Sequence, residues 1–267
     1  GSAISRQIST AMQSIRQGDY SSALSQLQTA EQSQSLSAKD YKALAQAYNQ
    51  LGMPEEALRT YQDWSNAHPN DAQAYLNLAR TYESLGMNSE AATQLSLYQE
   101  MSGNSSNSYA NSAALYRRLG MTADEGALLT DWVSSSPAST QAHMALADYY
   151  RRTGDLSSAL GEYQSVLQTT PGNIAAQMNL AQTYQQMGQY AEAQATLLSA
   201  IELQPGNADL YLRLGEAYRR SGNLAEAIST YQSVVSLEPG TTQAMRAQQQ
   251  INRLQRQAAQ TVNRNPS

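Results

Sequence analysis

The chain has 267 residues, a net charge of −5 and a pI near 5.1, with neither Cys nor Phe. Without cysteine it can hold no disulfide, thiol nucleophile or thiolate metal site. An acidic balance also argues against general nucleic-acid binding, which needs a basic surface. Charged residues make up only 15%, lysine is confined to Lys39 and Lys42, and Ser and Gln fill the polar positions. Such a surface is reminiscent of bacterial extracytoplasmic proteins. No apolar run reaches membrane-spanning length, so no membrane insertion is expected, and no charged-then-apolar leader opens the chain. Gly1-Ser2 looks like the scar of a removed tag, so a leader, a lipid anchor or further domains upstream are compatible with the sequence.

Three residue series recur every 34 residues. Glycine stands at Gly18, Gly52, Gly86, Gly120, Gly154, Gly188 and Gly222. Tyrosine stands at Tyr48, Tyr82, Tyr116, Tyr150, Tyr184 and Tyr218, and a small residue at Ala11, Ala45, Ala79, Ala113, Ala147, Ala181 and Gly215. A fixed period of this length predicts stacked helix–turn–helix units, each contacting only its neighbours. Ile174–Asn207 displays the unit most cleanly. Its first helix carries Gln177, Leu180, Ala181 and Tyr184 on one stripe, and Gly188 ends it with a left-handed cap. The second helix buries Ala193, Leu197, Ala200 and Ile201, and Pro205 stops it. An N-cap residue separates the units each time: Ser37, Asp71, Ser105, Ser139, Asn173, Asn207 and Thr241.

Seven windows follow in order: 4–37, 38–71, 72–105, 106–139, 140–173, 174–207 and 208–241. The first departs most, with Thr10 and Ser14 in slots that are apolar or Tyr in most other windows, so it reads as a polar cap or as a repeat whose upstream neighbours are absent. Trp64 in the second window and Trp132 in the fourth stand where Ala200 stands in the sixth; both indoles are expected buried, with locally wider spacing. Exposed indoles would instead favour self-association. The third window closes on Ser102–Ser108, a hinge candidate whose plainer reading is an inter-repeat turn. In the fourth, Glu125 replaces an alanine and Gly126 weakens the second helix. Windows five to seven are regular. After them a helix over about 242–261 sets Ala244, Ala247, Ile251 and Leu254 against the last repeat, with Gln and Arg on its other side, and the tail 262–267 is expected to fray.

These series resemble the tetratricopeptide repeat family over about 4–241. The resemblance implies an all-α, right-handed α–α superhelix with a C-terminal capping helix, and a generic scaffold for binding other proteins.

No catalytic motif and no cofactor or metal site is recognisable. His68 and His143 read as structural, and Glu55-Glu56 and Asp124-Glu125 as helix-dipole partners. The chain is therefore expected to be a non-enzymatic adaptor that receives a partner segment during assembly of a complex, the alternative being a scaffold that self-assembles into homo-oligomers. On the first-helix side opposite the packing stripe, which the resemblance implies is concave, lie apolar Leu76, Met144 and Met178, the amides Asn77, Asn111 and Asn179, and the pairs Arg117-Arg118, Arg151-Arg152 and Arg219-Arg220. The chaperone-tail clamp of some family members is not matched: Lys42 and Asn77 agree, but Gln46, Asn107 and Asn111 do not. The three asparagines look more like the ladder with which other members hold an extended backbone, interrupted at Ala145. The expected ligand is thus an extended, acidic or amide-rich protein segment rather than nucleic acid, bound by these twelve residues.

Overall fold

In a computed structural model residues 3–264 are described and form fifteen α-helices, with no strand among them. The first unit, Gly1–Leu128, contains α1 (Ala3–Arg16), α2 (Tyr20–Glu31), α3 (Ala38–Gln50), α4 (Pro54–Ala67), α5 (Ala72–Ser84), α6 (Asn88–Ser102), α7 (Ser106–Arg118) and the start of α8 (Thr122–Ser135). The second, Leu129–Ser267, holds the rest of α8, then α9 (Thr140–Thr153), α10 (Leu156–Thr169), α11 (Ile174–Gln186), α12 (Tyr190–Leu203), α13 (Ala208–Arg220), α14 (Leu224–Leu237) and α15 (Thr242–Arg264). The division between units falls inside α8 and not at Ser102–Ser108, where a three-residue turn, 103–105, joins α6 to α7 and Ser105 caps α7. Gly126 does not break α8, and Glu125 is buried at 3% exposure. α15 runs three residues beyond Thr261, and of the tail expected to fray, residues 265–267 lie outside the described residues.

Capping chemistry fixes where each first helix begins. Ser37, Asp71, Ser105, Ser139, Asn173, Asn207 and Thr241 each accept a backbone N–H from the first turn with a side-chain oxygen, satisfying donors that the helix itself leaves open. The seven glycines of the series all have positive φ. At Gly188 (φ 75) this left-handed geometry turns the chain from α11 into α12, and only glycine adopts it without a Cβ penalty.

A second tie repeats in the loops. Tyr75 and Tyr211 donate their hydroxyls to the carbonyls of Pro69 and Pro205, at 2.7 and 2.9 Å. At the equivalent position Gln177 donates to Pro171 at 3.4 Å, and His143 Nε2 lies 2.7 Å from the Pro137 carbonyl. Each therefore satisfies a proline carbonyl in the turn that follows a second helix.

In the first unit one apolar cluster joins α1 to α5 through Leu27, Leu44, Tyr48 and Trp64, and another joins α5, α6 and α7 through Leu76, Leu95, Tyr98 and Leu115. In the second unit the clusters pass from Tyr163 and Leu180 to Leu197 and Leu214, then to Tyr231, Ile251 and Leu254. Trp64 and Trp132 are 2% and 1% exposed, as expected. Ala200 is nevertheless not the norm for their slot: the seven equivalents are Ala30, Trp64, Tyr98, Trp132, Val166, Ala200 and Val234, all buried. The slot takes large and small side chains in turn because different neighbours fill the space. Trp64 also donates its indole N–H to the Asp71 carboxylate at 3.0 Å, so Asp71 serves the indole as well as its own helix cap.

Candidate protein-binding groove

Within the second unit, α11, α13 and α15 enclose an open cavity of about 390 Å³. Ala181, Leu197 and the Tyr231 ring form its floor, Met178 and Leu212 its apolar sides, and Gln182, Gln185 and Gln250 contribute carboxamides. Helical spacing explains the assembly. Met178, Gln182 and Gln185 sit on the α11 face turned away from the packing stripe, and Leu212 is the 34-residue equivalent of Met178 on α13. Arg246 and Gln250, four residues apart on α15, complete the wall. Spacing within the repeats singles out Met178 and Leu212. It does not single out Arg246 or Gln250, because α15 lies after the last repeat and has no equivalents to compare.

The charges that α13 brings to the cavity are held in ion pairs. Arg213 bonds Asp209 at 3.1 Å. Glu216 accepts from Arg219 at 2.6 Å and from Arg220 at 2.8 Å, and the Tyr231 hydroxyl reaches it at 3.3 Å. Burial pushes the Glu216 carboxyl up, but hydrogen bonds and charge from the two arginines outweigh it and lower its pKa to about 2. Burial, together with the Glu216 charge, raises the Tyr231 phenol to about 12. The same motif recurs in window five, where Tyr163 donates to Asp148 and Arg151 lies 3.9 Å from that carboxylate.

The twelve residues expected to contact a partner are placed unequally. Met144, Met178 and Asn179 are half-buried on first helices of the second unit, and only Met178 lines the cavity. Among the described residues no hydrogen bond holds the Asn179 carboxamide, so its donors and acceptor are free. Leu76 is a correction: at 1% exposure it is sealed among Leu95, Tyr98 and Leu115 and offers no surface to a partner. Its slot is half-open at Met144, Met178 and Leu212 but closed here, where the larger Tyr98 fills the neighbouring position. Asn111, in the first unit, is engaged at both ends, accepting from Arg80 at 3.2 Å and donating to Tyr98 at 3.1 Å. Asn77 donates to the Gln73 carbonyl of its own helix at 2.8 Å, which leaves its oxygen available.

The arginine pairs do not make a bare basic strip. Arg118 lies 3.5 Å from Glu83, Arg151 faces Asp148, and both Arg219 and Arg220 hold Glu216. Arg152 lies over the Tyr149 ring, 5.8 Å from its centroid, and Arg117 is exposed. The second cation of a pair, which exceeds what a helix dipole requires, is held in the last repeat by a carboxylate one turn earlier. Among the described residues no group of His, Asp and Glu is arranged to hold a metal ion, and no helix is long and apolar enough to cross a membrane.

Family profiles described as tetratricopeptide repeat match residues 107–174 and 178–241, 150–203, 38–81 and 72–104. No match was found among curated proteins. Solved structures with a similar fold include the C-terminal part of a TPR repeat-containing protein from Cytophaga hutchinsonii, at TM-score 0.61 and 14% identity over 82% of this chain and 95% of that one. A tetratricopeptide repeat protein from Parabacteroides merdae aligns at TM-score 0.54 and 17% identity over 96% and 100%. PilW, described as a widely conserved type IV pilus biogenesis factor, aligns at TM-score 0.55 and 19% identity over 78% and 96%.

Proposed function

The chain belongs to the tetratricopeptide repeat family, whose members are in general protein–protein interaction scaffolds, and from that premise we propose that it is a non-enzymatic adaptor holding a partner's extended segment in the groove of its second unit. The cavity between α11, α13 and α15 carries the proposal: an apolar floor with amides at its rim suits a peptide that buries one side chain and offers its backbone to hydrogen bonds. Met178, Asn179, Gln182 and Leu212 are the residues assigned to it, with Met144 one repeat earlier. Complex assembly is the setting we infer for such binding, and PilW, described as a type IV pilus biogenesis factor, is one neighbour of similar fold. Exposed indoles would favour the competing reading, a self-assembling scaffold, and both indoles are buried.

Selection of a random 12-residue peptide library on the whole chain tests the assignment. Peptides so obtained are expected to bind the native protein and to fail with Gln182→Trp, which plugs the cavity without removing a packed side chain, and with Met178→Gln/Leu212→Gln. Unchanged melting temperatures verify that each variant is folded. Peptides that bind both variants as tightly as the native chain place recognition elsewhere and refute the groove.

A further inference from the structure

α15 is unlike the fourteen helices before it. Over Thr242–Arg264 it carries Arg246, Arg253, Arg256 and Arg264 and no Asp or Glu. The rest of the chain is left with 13 cations against 22 carboxylates, a net of −9. The arginines also differ in their partners. At least six of the eleven arginines elsewhere, Arg59, Arg118, Arg151, Arg213, Arg219 and Arg220, face a carboxylate. Among the described residues none of the four on α15 makes an ion pair, and all four are exposed.

Their spacing puts them in line. At 100° per residue, Arg246, Arg253 and Arg264 fall within roughly 20° of one another, and Gln249, Gln250, Arg256, Gln257 and Gln260 fill a stripe roughly 120° wide around them. Ala244, Ala247, Ile251 and Leu254 occupy the opposite side and are buried against the last repeat. At 1.5 Å per residue the stripe is about 27 Å long. One end, Arg246 and Gln250, is a wall of the cavity. Its middle, Arg253 and Arg256 with Gln249, Asn252, Gln257 and Gln260, lines a second hollow of about 540 Å³. A solvated face needs no such sorting: mixed charges would solubilise it equally, and a helix C-terminus favours cations only in its last turn.

We propose that this Arg/Gln stripe is a docking surface for an acidic protein segment that leaves the groove over Arg246 and runs along α15. Charge complementarity identifies the occupant: four unpaired guanidinium groups call for carboxylates, and the interleaved carboxamides bond a peptide backbone or amide side chains. A nucleic-acid duplex is the less favoured occupant, since its dense phosphates would face the net −9 of the remaining chain. The proposal rests on the groove reading for where the segment enters, but the stripe is tested separately from it.

The probe is a fluorescein-labelled 12-residue peptide in which Glu and Leu alternate, with counterparts carrying Gln or Lys in place of Glu, and anisotropy is read on the full chain at low salt. The Glu peptide is expected to bind at least about tenfold more tightly than the Gln peptide, and the Lys peptide not at all. Arg253→Gln/Arg256→Gln/Arg264→Gln, which spares the groove wall, is expected to weaken the Glu peptide about tenfold, as three exposed ion pairs would, and to leave the Gln peptide unchanged. These side chains are exposed, so helicity and melting temperature should not move. Equal binding of the Glu and Gln peptides, indifference of the Glu peptide to the triple variant, or no binding of it up to about 1 mM overturns the stripe. A labelled DNA duplex that binds more tightly than the Glu peptide overturns the choice of partner. Loss of the Glu peptide in the triple variant but not in Gln182→Trp keeps the stripe and refutes the groove; the reverse pattern keeps the groove and refutes the stripe.

Discussion

His143 stands where Tyr41, Tyr75, Tyr109, Gln177 and Tyr211 stand in other repeats, and it should make stability depend on pH in a way none of them can. Its Nε2 lies 2.7 Å from the Pro137 carbonyl and its Nδ1 2.5 Å from the Glu162 carboxylate. Both partners are acceptors, so both ring nitrogens must donate, which only the imidazolium does. Burial alone would lower its pKa. The hydrogen bonds that the ring donates to Glu162 and to the Pro137 carbonyl, with the Glu162 charge, together outweigh burial and raise it. A raised folded pKa contributes stability that is fully present below the unfolded value of about 6.5 and is lost as pH rises through the folded value. The two side chains are 13% and 22% exposed, a partly shielded pair, so the contribution is about 1 kcal/mol. His143→Tyr can keep the bond to Pro137, as Tyr75 and Tyr211 do, while losing the charge. Urea unfolding at about pH 5.5 and 9 should then show the native chain losing about 1 kcal/mol more than His143→Tyr or Glu162→Gln across that interval. Only His68 shares the imidazole region of a proton spectrum, so a His68→Gln comparison assigns the signal. Equal pH slopes for native chain and His143→Tyr, or a His143 signal titrating below 6.5, would refute the argument.

Trp64→Ala should cost about 3–5 kcal/mol by chemical denaturation, because it empties a buried site and removes a hydrogen bond to the residue that caps α5; a loss under about 1 kcal/mol would mean that the neighbouring repeats close over the space. Gly188→Ala meets no atom within 4 Å, so its expected cost of about 1–2 kcal/mol is purely that of a left-handed backbone, and an unchanged midpoint would contradict that conformation. Glu216 has a lowered pKa, so its ion-pair stability is present above the ordinary carboxylate range and is lost as pH falls through about 2. Glu216→Gln should accordingly flatten the acid-unfolding curve of the native chain between about pH 4.5 and 2, by about 1 kcal/mol once solvent screening is allowed for, and curves of the same shape would refute the pairing.

Most of the fold was legible because each repeated residue has a local cause. Asn173 and Asn207 accept N–H groups of their own first turns, and Gly188 needs only its own φ. Such causes act within a few residues and leave a mark at each period. What Trp64 and Leu76 do depends on the opposite helix, so position along one helix could not settle it. Register alone makes Trp64 an intrusion into an alanine slot, although the slot has no fixed size. Register also groups Leu76 with Met144 and Met178, although its contacts with Leu95, Tyr98 and Leu115 seal it.

The arginine pairs show where a cross-helix cause does leave a trace in the sequence. Two positions fifteen residues apart hold Asp148 with Tyr163 and Glu216 with Tyr231, but Gln182 with Leu197, Arg80 with Leu95 and Ala114 with Leu129. A buried phenol needs an acceptor, and in both acidic cases the carboxylate provides it while also holding an arginine three residues on. Gln46 with Tyr61 is the case without the acid. The repeats thus supply their own alignment, and within it Arg151 and Arg219 belong to a carboxylate–tyrosine cluster rather than to a ligand. Gly215, the one departure from alanine in the small-residue series, lies against the same ring, where a Cβ would come within 2.7 Å of Tyr231, although Ala147 holds the equivalent place before Tyr163. Once these arginines are assigned to the repeats, the aligned basic stripe left for an acidic partner lies on α15, the helix outside the period.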